Sequence, residues 1–376
     1  MKDALTNPFV VSGYESPDYF CDREAETERM VTELMNGNNL TLISPRRMGK
    51  TGLIHHAFRR LKLDDQSVLT IYVDLLPTNC LADLAKSFSI AVMEQMDASP
   101  MTILKKAARL FSRLRPALSF DPVSGAPKFS VDIAHGEEQM TIEQIFSYLK
   151  NSGRQCFVAF DEFQQVAYYP ETNVEAFLRS HIQFLGNVHF VFSGSQSHML
   201  SEMFHSPKRP FYSSASSLSI GPIDRGKYYV FASDFFKKAG RDLPEEVFNS
   251  VYDRYDGHTW YVQKVLNKLY GYRTKEIDGS NVLIAIREIL SDNEYYYQSI
   301  LRAYSKGQGK LLKAIAKEDR VKEILSGGFL AKYGLNAASS VRGSLKRLLD
   351  DEQIYRDAEG YIVYDRFMSE WLKGLN

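Results

Sequence analysis

The sequence has few cysteines, no long apolar run and no signal-peptide pattern, the features that are typical of secreted, zinc-binding and membrane proteins. Its three cysteines, Cys21, Cys80 and Cys156, are odd in number and far apart, which argues against a disulfide framework or a zinc site. No uninterrupted apolar run approaches the roughly 20 residues that span a bilayer. The first residues, MKDALTNPFV, lack the apolar core of a signal peptide. These absences predict a cytoplasmic protein without membrane contact.

Net charge is also absent. Lys plus Arg and Asp plus Glu each number 46, so no global positive field attracts nucleic acid or an anionic membrane. Such binding would need a local patch. Disorder requires low hydrophobicity and high net charge, whereas 44% of the 376 residues are hydrophobic. A chain of this length and composition predicts two or three folded domains.

Apolar strands alternate with amphipathic helices along the first 222 residues. Strands are predicted at 39–43, 67–75, 156–162 and 188–195, with helices between them. Because the strands are near-continuous apolar runs, the pattern predicts an α/β fold with a mostly parallel sheet covered on both faces. In a less regular region, 115–140, the segments ALSFDP and PKFSVDI flank VSGA and predict a hairpin or inserted flap.

The pattern changes twice after Pro222. Residues 223–305 are predicted to be all-helical and are rich in Tyr. From residue 306, helices are predicted at KLLKAIAK, VKEIL and NAASSVRGSLKRLLDDEQI, followed by a hairpin of IYRD and YIVYD and a last helix, RFMSEWLKGL. Three helices and a hairpin predict a winged helix. The predicted domains are therefore 1–222, 223–305 and 306–376.

The first chemical motif is SPRRMGKT, which follows the strand at 39–43. A strand, a tight turn and Gly-Lys-Thr opening a helix form the pattern of a phosphate-binding loop, or P-loop. The glycine lets the backbone approach phosphates, and the helix N-terminus adds partial positive charge. Lys50 is predicted to contact the β- and γ-phosphates and the Thr51 hydroxyl to coordinate Mg²⁺. The predicted nucleotide contacts are Ser44, Pro45, Arg46, Arg47, Met48, Gly49, Lys50, Thr51 and Gly52.

Four positions in this loop leave alternatives open. Ser44 stands where the motif usually has its first glycine, and Pro45 follows it, which predicts a stiffer turn. Arg46 and Arg47 could contact a phosphate, contact a neighbouring subunit or be solvated.

The second motif is CFVAFDEFQ, in which four apolar residues run into Asp161 and Glu162. Carboxylates at the C-terminal end of a buried strand lie where a parallel sheet places its ligand. Asp161 is predicted to complete the Mg²⁺ shell and Glu162 to polarise the attacking water. The alternative is a strand that ends in a solvated acidic turn, which the P-loop upstream disfavours.

A third candidate is VHFVFSGSQ, a strand that ends in Ser193, Gly194 and Ser195. The Ser193 side chain could sense a γ-phosphate from a strand beside the P-loop strand. The alternative is a simple turn with a serine N-cap.

Together with YFCDREAE before the first strand, these motifs resemble the archaeal-type ATPases of the AAA+/STAND superfamily over nearly the whole chain. The resemblance implies a P-loop domain, a helical lid and a C-terminal winged helix, with ATP and Mg²⁺ as ligands. It places Phe20 and Arg23, together with Asp22 and Glu26, near the adenine. Where the family often has an Arg after the sensor strand, FYSSASS has none, so an arginine finger would come from Arg209 or Arg225. The family's lid proline is also missing from GHTW, and Cys21 replaces a usual glycine.

These observations predict a P-loop ATPase that acts as a slow, nucleotide-dependent switch, hydrolysing ATP with Mg²⁺ and serving an unidentified protein client or working as a homo-oligomer. One alternative is ATP-controlled DNA binding through residues 336–358. Residues 306–376 hold 13 Lys and Arg against 10 Asp and Glu, a net charge of +3, which is low for a dedicated binder. The other alternative is a scaffold that only binds ATP.

Overall fold

The computed structural model describes residues 5–96, 100–110, 114–120, 127–272, 274–335, 337–357 and 359–375. Contacts divide the chain into two compact units. The sheet unit comprises residues 12–224, and the helical unit comprises residues 225–376 together with the first 11 residues. The three-domain division given above stays a prediction. Among the described helices, none is long and apolar enough to cross a membrane.

The sheet unit alternates helices with strands. Its helices are α1 (Glu24–Met35), α2 (Lys50–Asp64), α3 (Leu81–Glu94), α4 (Pro100–Leu110), α5 (Glu138–Lys150), α6 (Val174–Ile182) and α7 (Ser197–His205). Its strands are β1 (Leu40–Ile43), β2 (Leu69–Asp74), β3 (Leu114–Phe120), β4 (Pro127–Ile133), β5 (Cys156–Asp161), β6 (Val188–Gly194) and β7 (Ser216–Ser219). Two short 3-10 helices span Pro17–Tyr19 and Phe163–Tyr168.

Five of these strands form one parallel sheet in the order β2, β5, β6, β1, β7. This confirms the predicted α/β fold. β5 and β6 are buried along their whole length, which accounts for their apolar sequences. Because β6 lies between β1 and β5, the carboxyl ends of these three strands are neighbours at one end of the sheet.

Helices cover both faces of the sheet. On β5, Phe157 and Ala159 pack in a core with α1 and α2, whereas Val158 and Phe160 pack in a core with α3, α5 and α6. This alternation is the two-residue period of a strand. The first core holds α2 against the sheet and thereby fixes the loop that joins β1 to α2.

The strand β7 was not predicted. Its sequence, SSLS, carries no apolar run, and Leu218 is its one buried residue. Pairing with β1 supplies the strand conformation, with Leu40 opposite Ser216. The predicted hairpin is confirmed, because β3 and β4 pair antiparallel from Leu114 opposite Ile133 to Phe120 opposite Pro127.

The helical unit contains eight described helices and one hairpin. They are α8 (Arg225–Lys238), α9 (Glu245–Arg254), α10 (Thr259–Gly271), α11 (Gly279–Arg302), α12 (Lys306–Glu318), α13 (Gly327–Lys332), α14 (Ala338–Asp350), β8 (Ile354–Arg356), β9 (Tyr361–Val363) and α15 (Arg366–Gly374). The order from α12 onward follows the predicted winged helix. The helix predicted at VKEIL is wrong. Val321 exchanges backbone hydrogen bonds with Tyr361 of the hairpin instead, and the helix begins only at Gly327, after the Ser326 cap.

Candidate active site

The loop between β1 and α2 has the backbone of an anion cradle. Arg47 and Gly49 both adopt positive φ, at 65° and 97°. Gly49 is the N-cap residue of α2, and no side chain caps the first turn. The backbone N–H groups of that turn are therefore left for a ligand, where the helix dipole favours negative charge. An added Cβ at Gly49 would meet nothing within 4 Å, so backbone conformation, not crowding, favours glycine here.

Lys50 opens α2 with a buried ammonium group. Its side chain is 6% exposed, and Nζ donates to the carbonyls of Ser44 at 2.8 Å and Pro45 at 3.0 Å. Burial lowers the pKa of Lys50 to about 8, although the carboxylates of Glu162 and Asp161 oppose the shift. A cation held in this way gains most from an anionic ligand that restores its charge stabilisation.

Asp161 is the last residue of β5, and its carboxylate accepts hydrogen bonds from α2, from β2 and from the residue that follows it. Its Oδ2 accepts hydrogen bonds from Thr51 Oγ1 at 2.8 Å and from the Tyr72 hydroxyl at 2.6 Å. Its Oδ1 accepts from the Glu162 backbone N–H at 3.1 Å. Burial, followed by the charge of Asp161, raises the pKa of Tyr72, so its phenol stays a donor. Tyr72 was not predicted; its position beside β5 depends on the pairing of β2 with β5.

The pair Thr51 and Asp161 suits a hard cation. One hydroxyl and one carboxylate meet at 2.8 Å, and both are oxygen donors. The described residues contain no group of three or more His, Cys, Asp or Glu that could hold a metal. Mg²⁺ commonly takes one or two protein oxygens and completes its shell with water and phosphate oxygens. The residues present therefore fit Mg²⁺ brought in with a nucleotide.

Glu162 lies next to this pair and is held by its neighbours. Its backbone is left-handed, with φ 55° and ψ 42°. Its Oε2 accepts three hydrogen bonds, from Ser195 N at 3.2 Å, Ser195 Oγ at 2.8 Å and Gln164 Nε2 at 2.5 Å. Ser195 Oγ also accepts from Arg46 Nε at 3.0 Å. A hydrogen-bonded chain thus runs from the loop through Ser195 to the carboxylate.

The two serines after β6 differ in their surroundings. Ser193 is fully buried, and its Oγ has no hydrogen-bond partner among the described residues. Ser195 makes the contact with Glu162, and Gln164 supports it from the following 3-10 helix. Gly194 makes room for this arrangement, because an added Cβ would approach Gln164 Oε1 to 2.2 Å. The predicted sensing role of Ser193 stays a prediction.

The segment before α1 packs against the loop. Arg23 is 4% exposed, and its guanidinium donates to the carbonyls of Gly221 at 2.6 Å and Met48 at 3.4 Å. Phe20 lies over the first turn of α2, where an added Cβ on Gly52 would come within 3.1 Å of its ring. The structure therefore brings both predicted residues beside the P-loop, where Arg23 holds the loop backbone.

The histidines after the loop belong to an aromatic cluster. Phe20 stacks on His56 at 4.6 Å, and the Tyr14 hydroxyl lies 3.0 Å from His56 Nδ1. His55 packs on Tyr72 at 4.5 Å. Burial lowers the pKa of both histidines. They remain neutral packing groups behind the Thr51 and Asp161 pair.

The candidate arginine fingers are engaged elsewhere. Arg209 pairs with Glu175 at 2.5 Å within the sheet unit, and Arg225 pairs with Asp253 within the helical unit.

The predicted DNA-contacting helix is α14. Arg342 and Lys346 are exposed on it. Arg347 pairs with Asp351 at 2.8 Å, and Arg356 of the hairpin lies over the Tyr361 ring. Arg347 and Arg356 are exposed as well, despite these contacts.

The fold and the site together define a P-loop ATPase with a C-terminal winged helix. Residues 20–265 match the ATPase domain found predominantly in Archaea, and residues 295–374 match a probable winged helix domain. Because the first match covers more than half of the chain, the protein belongs to this archaeal-type ATPase family. It is a nucleotide-binding protein with the ATP hydrolase activity of that family.

Solved structures support the same fold. The Walker-type ATPase PABY2304 of Pyrococcus abyssi aligns at a TM-score of 0.68 and 16% identity, over 97% of this chain and 99% of that chain. The Aeropyrum pernix ORC2 protein, in ADPNP–ADP complexes, aligns at 0.56 and 15% identity, over 97% and 96%. The Aeropyrum pernix ORC1 protein, in complex with DNA, aligns at 0.55 and 16% identity, over 98% and 96%. A search of curated proteins returned no match by sequence.

Proposed function

We propose that this protein is a Mg²⁺-dependent ATP switch with slow intrinsic turnover. The observation that carries the proposal is the state of Glu162, which lies beside the Thr51 and Asp161 pair with its Oε2 already accepting three hydrogen bonds. The residue type needed to polarise water is in place, but its carboxylate is engaged. Such a site supports ATP binding and keeps hydrolysis slow until the network changes.

Each residue of the site then has one task. The backbone N–H groups of the loop and Lys50 bind the phosphates, and Arg23 holds the loop in shape. Thr51 and Asp161 hold Mg²⁺, which when bound neutralises phosphate charge. Glu162 orients and polarises the water. Ser195 couples Glu162 to Arg46, so a phosphate that draws Arg46 away would alter the hold on Glu162.

The direct test is phosphate release from Mg-ATP by the wild type beside Glu162→Gln. We expect slow release from the wild type and a loss of about 100-fold or more in the variant, because general-base catalysis contributes roughly 10²–10⁴. ATP binding, measured by calorimetry, should survive in Glu162→Gln and fail in Lys50→Ala. Binding without release from the wild type, with or without added partners, would instead indicate a scaffold that only binds ATP.

A second candidate function is ATP-controlled DNA binding. It is favoured by the exposed Arg342 and Lys346 on α14 and by the likeness to a protein solved with DNA. The test is salt-dependent binding of duplex DNA with and without Mg-ATP, compared with Arg342→Ala/Lys346→Ala. Unchanged binding by the double variant would exclude this helix as the contact.

A protein client, homo-oligomerisation and a cytoplasmic site of action are further parts of the proposal. An arginine supplied by a neighbouring copy would suit a site in which Arg209 and Arg225 are paired elsewhere. Phosphate release per chain that rises with protein concentration would support it.

A further inference from the structure

Lysines line one groove of the helical unit. The groove has a volume of about 590 Å³ and runs along α12, between the end of α11 and α13. Its lysines are Lys306, Lys310, Lys313, Lys317 and Lys332. In a chain whose net charge is zero, this is a strong local accumulation of one sign.

The spacing of the lysines puts four of them on one face of α12. Lys306, Lys310, Lys313 and Lys317 recur at intervals of four, three and four residues, which is one stripe of a helix. At a rise of about 1.5 Å per residue, the stripe is roughly 16 Å long. Like charges three and four residues apart destabilise a helix on their own. The stripe therefore does not serve the stability of α12.

Few carboxylates within the described parts of the chain balance this charge. Lys332 pairs with Glu318, and Lys310 Nζ donates to the Gly334 carbonyl at 2.6 Å. No ion pair within those parts joins Lys306, Lys313 or Lys317 to a carboxylate; Lys306 and Lys317 are exposed, and Lys313 is half-buried. The groove thus presents a positive rim to an incoming partner.

The floor of the groove is apolar. Leu301, Ala314 and the side chains of Tyr304 and Tyr333 line it. Gly309 borders this floor, and an added Cβ there would meet only Leu301 Cδ2, at 3.9 Å, so the groove has room for a side chain at this position. A nucleic-acid backbone would use the lysines but has no aliphatic group for the floor. An acidic peptide with one apolar anchor uses both.

We propose that this lysine groove docks an acidic segment of a partner protein, with an apolar side chain of that segment seated between α11, α12 and α13. The groove is distinct from the α14 face, whose helix ends in the acidic residues Asp350, Asp351 and Glu352. The proposal is independent of the nucleotide site.

The test is selection of a displayed random-peptide library on the full-length chain. The enriched peptides are then synthesised and titrated by fluorescence anisotropy at low and high salt. We expect enriched sequences in which acidic residues flank a single apolar one, with affinity that weakens as salt rises. Lys313→Glu/Lys317→Glu should weaken that affinity at least about tenfold, because rim charges steer and hold an oppositely charged partner.

Two further variants separate charge from shape. Arg342→Glu/Lys346→Glu makes the same change of charge at the same spacing on α14 and should leave peptide affinity within about twofold. Gly309→Leu fills the groove without a change of charge and should abolish binding. Thermal unfolding of each variant, with tryptophan fluorescence as the readout, checks that the helical unit is folded.

Three results would overturn the proposal. The first is no enrichment, or enrichment of peptides without acidic residues. The second is equal affinity for the wild type and Lys313→Glu/Lys317→Glu. The third is a combination of results: duplex DNA binds the wild type, Lys313→Glu/Lys317→Glu no longer binds it, and no acidic peptide is enriched. That combination would make nucleic acid the occupant of the groove.

Discussion

Among single residues, Glu162 shows how a carboxylate can be present and yet restrained. Ser195 and Gln164 direct three donors at one of its oxygens. Donors directed at a carboxylate oxygen occupy the lone pairs with which that oxygen would accept a hydrogen bond from a water molecule. The same contacts hold the Glu162 side chain in one position, so its carboxylate is not available to polarise a water molecule. The restraint depends on Gly194, since a larger residue would displace Gln164.

Removal of one donor should therefore raise turnover. We expect Ser195→Ala to release phosphate from Mg-ATP up to about tenfold faster, because a hydrogen bond to a charged group contributes roughly 1.5–3 kcal/mol and the remaining donors offset part of that loss. ATP affinity should not fall, because the variant also removes the hydrogen bond that Arg46 donates to Ser195. The control is Ser201→Ala, a half-buried serine on α7 whose hydroxyl lies 3.1 Å from His205 Nδ1. Turnover that falls in Ser195→Ala would mean that Ser195 positions Glu162 for catalysis and does not restrain it.

Lys50 predicts a pH dependence of nucleotide affinity. Its pKa of about 8 in the free protein should rise when phosphates bind, since anions favour the charged form. Affinity is then full below pH 8 and falls as pH rises above it, by at most about tenfold per pH unit. Calorimetry of Mg-ATP binding across this range measures the slope. In Lys50→Gln, binding should be weak, and its pH dependence above 8 should be flat.

Among the elements, the C-terminal hairpin shows why a local pattern can mislead. VKEIL has helical spacing, but the backbone of Val321 pairs with Tyr361 of β9. The hairpin turns through Gly360 at φ 152°, and an added Cβ there would approach the Val321 carbonyl oxygen to 2.6 Å. Close backbone approach and a positive φ both require glycine at this position.

Gly360→Ala should destabilise the helical unit by about 1–3 kcal/mol, because it adds both strain and a backbone clash. The matched control is Gly343→Ala in α14, where an added Cβ meets nothing within 4 Å. That change should stabilise by about 0.5–1 kcal/mol, since glycine weakens a helix interior. Urea unfolding of both variants gives the comparison, and equal stabilities would refute the account of the turn.

At the scale of the whole molecule, the helical unit includes the start of the chain. Phe9 is fully buried among Phe231, Phe235, Phe236 and Tyr270. Two side-chain amides fasten the segment: Asn7 Nδ2 donates to the Asn267 carbonyl, and Asn267 Nδ2 donates to the Phe9 carbonyl, both at 2.8 Å. Residues more than 200 positions apart thus share one core.

Phe9→Ala should destabilise the helical unit by about 3–5 kcal/mol, the usual cost of truncating a buried Phe. Both tryptophans, Trp260 and Trp371, belong to this unit, so tryptophan fluorescence reports its unfolding alone. Leu5→Ala, at a 36% exposed position, is the control and should change little. An unfolding midpoint of Phe9→Ala equal to that of the wild type would show that the segment is dispensable.

The sequence by itself determined the parallel sheet, the P-loop, the acidic strand end and the order of elements in the winged helix. These features are local, because strand runs, the Gly-Lys-Thr turn and helix periodicity each act within a few residues. Only the tertiary structure decided that Ser195 and Gln164 hold Glu162 and that Tyr72 bonds to Asp161. It also decided that SSLS is a strand and that Phe9 packs against side chains more than 200 positions further along the sequence. Each of these depends on strand pairing or burial between distant segments, which no local pattern records.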